Sequence, residues 1–265
     1  MKVTLTGAAG FLGSSVCRAL LDAGHEVHAT DIAYRNDLPV RLDVADLLDT
    51  ASCYKLVEGS EAVVHLGNHP GWWGRYAQRV FNENVQMDMN VFQAALEVGA
   101  RLILFASSIQ TIGSQSVGQP LLPPYLPLDS DVPARPRNPY ALSKQTGEVM
   151  LDYYCAVGSL SAVAVRFPMI TAPQRRPRWG PGAEEAFAFL DIADAARLVV
   201  AILAGPRPGF RIYLPAARAN ALGRPAADVI REHYSGVTLK RPIEEIDSLV
   251  DISRIREETG WEPAA

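Results

Sequence analysis

Tyr140 and Lys144 stand four residues apart in the segment NPYALSK, residues 138–144. At that spacing on a helix, a phenol and an ammonium share one face. The ammonium favours the phenolate, and the positive end of the helix dipole adds a smaller push the same way. A free phenol titrates near ~10, so it needs such help to act as a base around neutrality. The flanking residues start the helix. Asn138 suits an N-cap, because its side-chain oxygen can accept from an unpaired backbone N–H. Pro139 suits the first helical position, where its missing N–H costs nothing. Apolar residues then recur at helical spacing: Ala141, Val149, Leu151, Tyr154 and Cys155. A surface tyrosine and lysine can also fall at this spacing by chance, so the rest of the chain must supply the reason for chemistry.

A second constellation lies near the start. Gly7, Gly10 and Gly13 form a G-x-x-G-x-x-G array, with Phe11 and Leu12 inside it, between the strand-like KVTLT and the helical FLGSSVCRALLDAG. In that context the glycines permit a tight turn and close approach of backbone to a pyrophosphate at a helix N-terminus. Asp31 closes the next strand eighteen residues after Gly13, with Ile32 beside it. A carboxylate there accepts from both ribose hydroxyls and repels a 2′-phosphate, which points to NAD over NADP. Arg35 lies close enough to work the other way. Asp43 and Val44, in RLDVAD, are placed for an adenine contact, and Leu66 and Gly67 end a strand beside the expected cofactor. His65, inside AVVHL, reads as a packed, hydrogen-bonded core residue.

These groups need a scaffold, and the chain alternates strand-like with helix-like segments. VRL is followed by the helical ADLLDTASCYKLVEG and then by AVVHL. A helix of about 76–99 leads into RLILFAS, and the helix from Pro139 leads into SAVAVRF, which ends at Phe167 near the cofactor. Short β-branched runs with intervening helices predict parallel strands with crossover helices, an α/β fold with a doubly wound parallel sheet. Seven of the nineteen prolines fall between Pro120 and Pro139, and four more between Pro168 and Pro181. Proline bars both stretches from helix interior and central strand. Both follow strands, so they are expected to line the ligand crevice. The expected division is a Rossmann-type dinucleotide-binding domain of residues 1–167 plus 188–214, and a small substrate-covering region of 168–187 plus 215–265.

Composition narrows the function. The 265 residues are 48% hydrophobic and 20% charged, with a net charge of −4. A mildly acidic balance argues against nucleic acid or an anionic membrane as partner. No apolar run approaches the ~18 residues of a membrane span. Cys17, Cys53 and Cys155 are odd in number and far apart. They read as reduced core residues of a cytoplasmic protein, with no disulfide framework and no metal-ligand spacing. The chain opens directly on a strand, so no leader is expected.

Taken in order, TGAAGFLG, the Asp after strand two, LDVAD, VVHLG, NENV, LFASSIQTIG, NPYALSK, DIADAA and LVDISRIREETGWEP resemble the extended short-chain dehydrogenase/reductases, also called the NAD-dependent epimerase/dehydratase family. The resemblance spans nearly the whole chain. It implies a Rossmann-type fold, NAD as cofactor, and Ser108, Tyr140 and Lys144 acting together. Tyr140 would be the general acid/base on a carbinol hydroxyl. Lys144 would support it and hold the nicotinamide ribose, and Ser108, preferred to Ser107 by its place in the family pattern, would bond the substrate oxygen. Asn84 matches the family's helix asparagine that braces the cofactor and active site. A homodimer through the helices at about 76–99 and 139–157 is a further expectation from the family.

FASS-x-x-TIG and DVPARP look like the uronate dehydrogenases, which oxidise a free sugar acid with NAD. That likeness places Gln110 toward the substrate and makes Arg178 the carboxylate partner, a role suited to a planar guanidinium. Arg175, Arg176 and Arg178 could equally face solvent. Pro70 and Met169 stand where those enzymes carry substrate-contacting serines. Trp72 and Trp73 either stack on a sugar or pack as apolar cover. The small tail favours a small sugar over a nucleotide sugar. The alternatives are a redox-neutral nucleotide-sugar epimerase or dehydratase, and a non-catalytic dinucleotide sensor. The sensor reading is opposed by the presence of both Tyr140 and Lys144.

Overall fold

The computed structural model describes residues 1–264 apart from 72, 73, 75, 114–121, 174, 176, 178–187, 206 and 207. Its strands are β1 (Lys2–Thr6), β2 (Glu26–Asp31), β3 (Leu42–Val44), β4 (Ala62–His65), β5 (Leu102–Ser108), β6 (Tyr125–Leu126), β7 (Ser161–Phe167), β8 (Met169–Thr171), β9 (Phe189–Asp191), β10 (Phe210–Tyr213) and β11 (Thr238–Leu239). Its helices are α1 (Phe11–Asp22), α2 (Thr50–Val57), α3 (Ala77–Glu97), α4 (Pro139–Val157), α5 (Ile192–Ala204), α6 (Ala226–His233) and α7 (Ser253–Thr259).

Seven strands form one parallel sheet in the order β10-β7-β5-β4-β1-β2-β3. The inner strands are apolar on both faces because both are covered. α1, α5 and the last helix α7 pack on one face, and α2, α3 and α4 on the other. The chain runs outward from β1 through β2 and β3, then returns and runs the other way from β4. The order therefore reverses between β1 and β4, and a crevice opens there at the carboxyl ends of the strands. This is the doubly wound fold that the alternation predicts.

Two local expectations shift. The third strand is Leu42–Val44, two residues later than VRL, because β3 pairs with β2 in the register Asp31↔Val44. The helix read from Ala45 starts only at Thr50, where the Asp49 carboxylate caps it by accepting from Ser52 N at 3.0 Å. Residues 45–48 are thereby left as a loop on the crevice.

Beside the two cores of the sheet lies a third. It joins Ile109, Leu126 and Leu128 to Leu214, Val229, Ile230 and Leu249. β6 pairs with β11, and Leu128 N donates to Leu249 O at 2.9 Å. Ile109, Leu126 and Leu128 thus pack against the C-terminal part of the chain. Ile255 and Trp261 lie in the core beneath α1 and α5, with Trp261 Nε1 donating to Asp194 O at 3.1 Å.

Candidate active site

A cleft of about 830 Å³ occupies the crevice between β1 and β4. Gly7 and Gly13 show why side chains are excluded from its floor. Gly7 has φ +71°, and a Cβ there would lie 2.7 Å from the Leu66 carbonyl carbon. A Cβ on Gly13 would lie 2.0 Å from Gly7 O. The turn after β1 is pressed against the end of β4 and against α1, which leaves the α1 N-terminus, capped by Gly10, open to the cleft. Phe11 and Leu12 line it too.

Asp31 stands at the β2 end of the cleft, with Ile32 beside it. Its carboxylate accepts from Ala9 N at 2.9 Å and Ala33 N at 3.0 Å, so its oxygens are held in place. Arg35 donates to Ala9 O at 3.1 Å and is paired with Asp37. Asp43 and Val44 do not line the cleft. The Asp43 carboxylate is taken by His28 Nε2 at 2.8 Å, with Arg41 Nε at 3.6 Å. The cleft wall there is Ala45, Asp46, Leu47 and Leu48, the loop left by the later start of α2.

At the other end the cleft brings together Ser108, Gln110, Tyr140, Lys144 and Phe167, with Leu66 and Gly67 between the two ends. α4 begins as its sequence predicts, with Asn138 Oδ1 accepting from Ala141 N at 2.8 Å and Pro139 in the first turn. Asn138 Nδ2 also donates to Gln110 Oε1 at 3.0 Å, which ties the helix start to the turn after β5. Lys144 is buried. Its Nζ donates to Asn68 Oδ1 and lies 4.6 Å from the Phe105 ring centroid. Burial pushes its ammonium down to about 8, against the opposing attraction of Asp88.

The two serines at the end of β5 differ. Ser107 Oγ donates to Glu148 Oε1 at 2.6 Å, and Arg166 grips the same carboxylate with two bonds of 2.8 Å. Ser108 Oγ accepts from Gln110 N at 3.2 Å, which leaves its own proton to be donated. Asn84 lies below the cleft rather than in its wall. It accepts from His69 N at 2.9 Å and donates to Ser143 Oγ at 3.0 Å, bracing the loop after β4 against α4.

Several lining residues escaped sequence reasoning: Asn68, His69, Arg79, Glu83 and Met87. His69 and Arg79 both bond Glu83, and these bonds, that of His69 first, hold its carboxyl below the usual range. Pro70 and Met169 are also in the wall. Arg178, Trp72 and Trp73 lie outside the described residues. The cysteines take no part: burial raises the Cys53 and Cys155 thiols to about 11. Among the described residues no helix is long and apolar enough to cross a membrane.

The sequence profile of the NAD dependent epimerase/dehydratase family matches residues 3–183, from β1 past the site. This chain belongs to that family. Its cofactor is NAD, and the cleft fits it: the glycine floor has no room for side chains, and the Asp31 carboxylate is anchored at the β2 end. A family member named uronate dehydrogenase, from Pseudomonas syringae pv. tomato, is 28% identical over 219 residues, covering 80% of this chain and 72% of that one. One named UDP-glucose 4-epimerase, from Streptomyces lividans, is 27% identical, covering 67% of this chain and 54% of its own length. Among solved structures, a glucuronic acid dehydrogenase from Chromohalobacter salexigens superposes with a TM-score of 0.72 at 24% identity, covering 100% of this chain and 84% of that one. At that identity the likeness speaks for the fold.

Proposed function

We propose that this family member is an oxidoreductase that takes hydride from a carbinol of a small sugar, a uronate before a neutral aldose. The observation that carries the reading is that Ser108, Tyr140 and Lys144 line the same cleft as the glycine turn and Asp31. In this reading Gly7, Gly10, Phe11, Leu12, Gly13, Asp31, Ile32, Leu66, Gly67 and Phe167 hold NAD. NAD bound there supplies the hydride acceptor. The Tyr140 phenol oxygen takes the proton of the substrate hydroxyl. Lys144 favours the phenolate and holds a ribose hydroxyl. Ser108 donates to the substrate oxygen where charge develops, and its bond from Gln110 N supports this role over Ser107, whose proton goes to Glu148.

A uronate is favoured by the relative named uronate dehydrogenase and by a small region built around one modest core. Gln110 faces this substrate from the wall, and Arg178 is carried as its carboxylate partner. The test is a panel of uronates, aldoses and nucleotide sugars with NAD, read by NADH absorbance and product analysis. NADH formed in proportion to uronate consumed is the expected result. Arg178→Ala should raise KM for a uronate on the order of ten- to a hundredfold, and leave that of the matching aldose unchanged, since one charge-assisted contact is worth about 1.5–3 kcal/mol. Redox-neutral conversion of a nucleotide sugar, with no NADH from any free sugar, would instead support the epimerase reading, which the Streptomyces relative favours.

A cytoplasmic location and a homodimer are parts of the same reading. Leu142, Val149, Tyr153 and Val157 on α4, with Met89 on α3, form an exposed apolar stripe that supports pairing through these helices. Light scattering of the pure protein tests this, and a monomer at micromolar concentration would refute it.

A further inference from the structure

Behind Lys144 lies a polar chain that the catalytic reading leaves unexplained. Lys144 Nζ donates to Asn68 Oδ1, and Asn68 Nδ2 donates to Asp88 Oδ1 at 2.9 Å. Asp88, on α3, is fully buried, as is His65 on β4, whose Nε2 lies 2.9 Å from the same Oδ1. The histidine is held from its other side as well. Thr6 Oγ1 accepts from Leu66 N at 3.2 Å and Gly67 N at 3.0 Å, and lies 2.7 Å from His65 Nδ1. The ring is thereby fixed between Thr6 and Asp88.

Asn68 and His65 thus meet the carboxylate at one and the same oxygen, Oδ1. Its Oδ2 is buried and has no hydrogen-bond partner among the described residues. α4 closes over that oxygen at Gly147, where a Cβ would lie 3.0 Å from Oδ2 and 2.7 Å from the Phe105 ring. A buried carboxylate with one oxygen left unpartnered lacks full compensation. The buried cation nearest along this chain is Lys144, and the attraction between the two opposes the desolvation of the lysine. The other titratable or charged groups around Lys144 are spoken for. Tyr140 shares its helix, His65 bonds Asp88 itself, and Glu148, one turn on, is paired with Arg166 of β7.

We propose that Asp88 is a positioning residue: through the Asn68 amide it is the counter-charge that aims and retains the Lys144 ammonium in the cleft. It touches neither substrate nor cofactor and acts only through the lysine. The proposal rests on the reading of Lys144 given above.

The sequence has four lysines, Lys2, Lys55, Lys144 and Lys240. Protein labelled with ¹³C at lysine Cε therefore gives four resonances to titrate, and their comparison with Lys144→Met assigns the buried one. In folded Asp88→Asn the Lys144 midpoint is expected to fall by at least about half a pH unit, a threefold change in proton affinity, because the charge is lost while the shape and the His65 bond are kept. The pH dependence of NAD affinity, measured by calorimetry, should move with it. A role confined to packing would lower the melting temperature and leave the midpoint in place, and that result would overturn the proposal. Asn68→Ala, on a half-buried loop residue, removes the bridge and should shift the midpoint in the same direction. If Asp88→Asn does not fold, an unmoved midpoint in Asn68→Ala overturns the proposal by itself. The titration needs no substrate, so its failure is distinct from a failure to find a sugar that turns over.

Discussion

The Lys144 ammonium lies 5.7 Å from the centroid of the Tyr140 ring, one helical turn away on α4. One residue is the proposed base and the other its electrostatic support. Tyr140→Phe removes only the phenol oxygen, so NAD affinity should stay within about twofold while kcat falls by two to four orders of magnitude, the usual worth of a positioned acid/base. Calorimetry and steady-state kinetics on the same preparation check both halves. Near-normal turnover in Tyr140→Phe would remove it as the base.

Burial of Lys144 makes stability depend on pH, with a definite sign. The folded protein holds this proton to about 8, whereas the ordinary value is 10.5. Between those values the unfolded chain binds more protons, so this site destabilises the fold below pH 8 and the penalty is relieved as pH rises toward 10.5. Relative to Lys144→Met, the parent should gain on the order of 3 kcal/mol between pH 7 and pH 10.5. Urea unfolding of both proteins across that range measures the difference. A constant difference would mean that the lysine is not depressed.

Asp31 is expected to select the cofactor and also to shape its turn, since its carboxylate accepts from Ala9 N inside the glycine array. Asp31→Ala should weaken NAD about tenfold or more, by loss of a charge-assisted acceptor worth about 1.5–3 kcal/mol. It should leave NADP affinity the same or better, because the repulsion of the 2′-phosphate goes with it. Titration with both cofactors decides. A parent protein that binds NADP more tightly than NAD would contradict the assignment.

Glu148 and Arg166 form a buried pair that ties the end of β5, through Ser107, to α4 and β7, and Arg166 also donates to Val132 O, in the third core, at 2.6 Å. Breaking such a pair from one side leaves an uncompensated buried charge. Glu148→Ala should cost about 3–5 kcal/mol in denaturant unfolding. The double replacement Glu148→Leu with Arg166→Met should recover much of that loss. If the single variant cost under 1 kcal/mol, the pair would not be holding these elements together.

Much of the site is legible in the chain because it is local. The cap at Asn138, the proline in the first turn and the four-residue spacing of Tyr140 and Lys144 are all set within seven residues. The glycine turn followed by a helix, and a carboxylate at the end of the second strand, are likewise properties of short segments. So is the alternation that calls for a parallel sheet. The end of strand three marks where such reading stops. Whether strand three ends at Leu42 or Val44 depends on its pairing with Asp31, and two residues of difference move Ala45–Leu48 to the cleft and turn Asp43 to His28.

The amino-acid sequence alone determined which groups are available for chemistry and which helix or strand end carries each, because caps, turns and periodicity act over a few residues. The tertiary structure decided which of those groups are already used. Ser107 is taken up by Glu148, 41 residues away, while Ser108 is not. Lys144 meets Asn68 across 76 residues, and Asp88 stands behind it with one oxygen unpartnered among the described residues. A hydrogen bond between side chains so far apart in the chain exists only once the sheet order and the helix packing bring their elements together, and no local preference encodes that order.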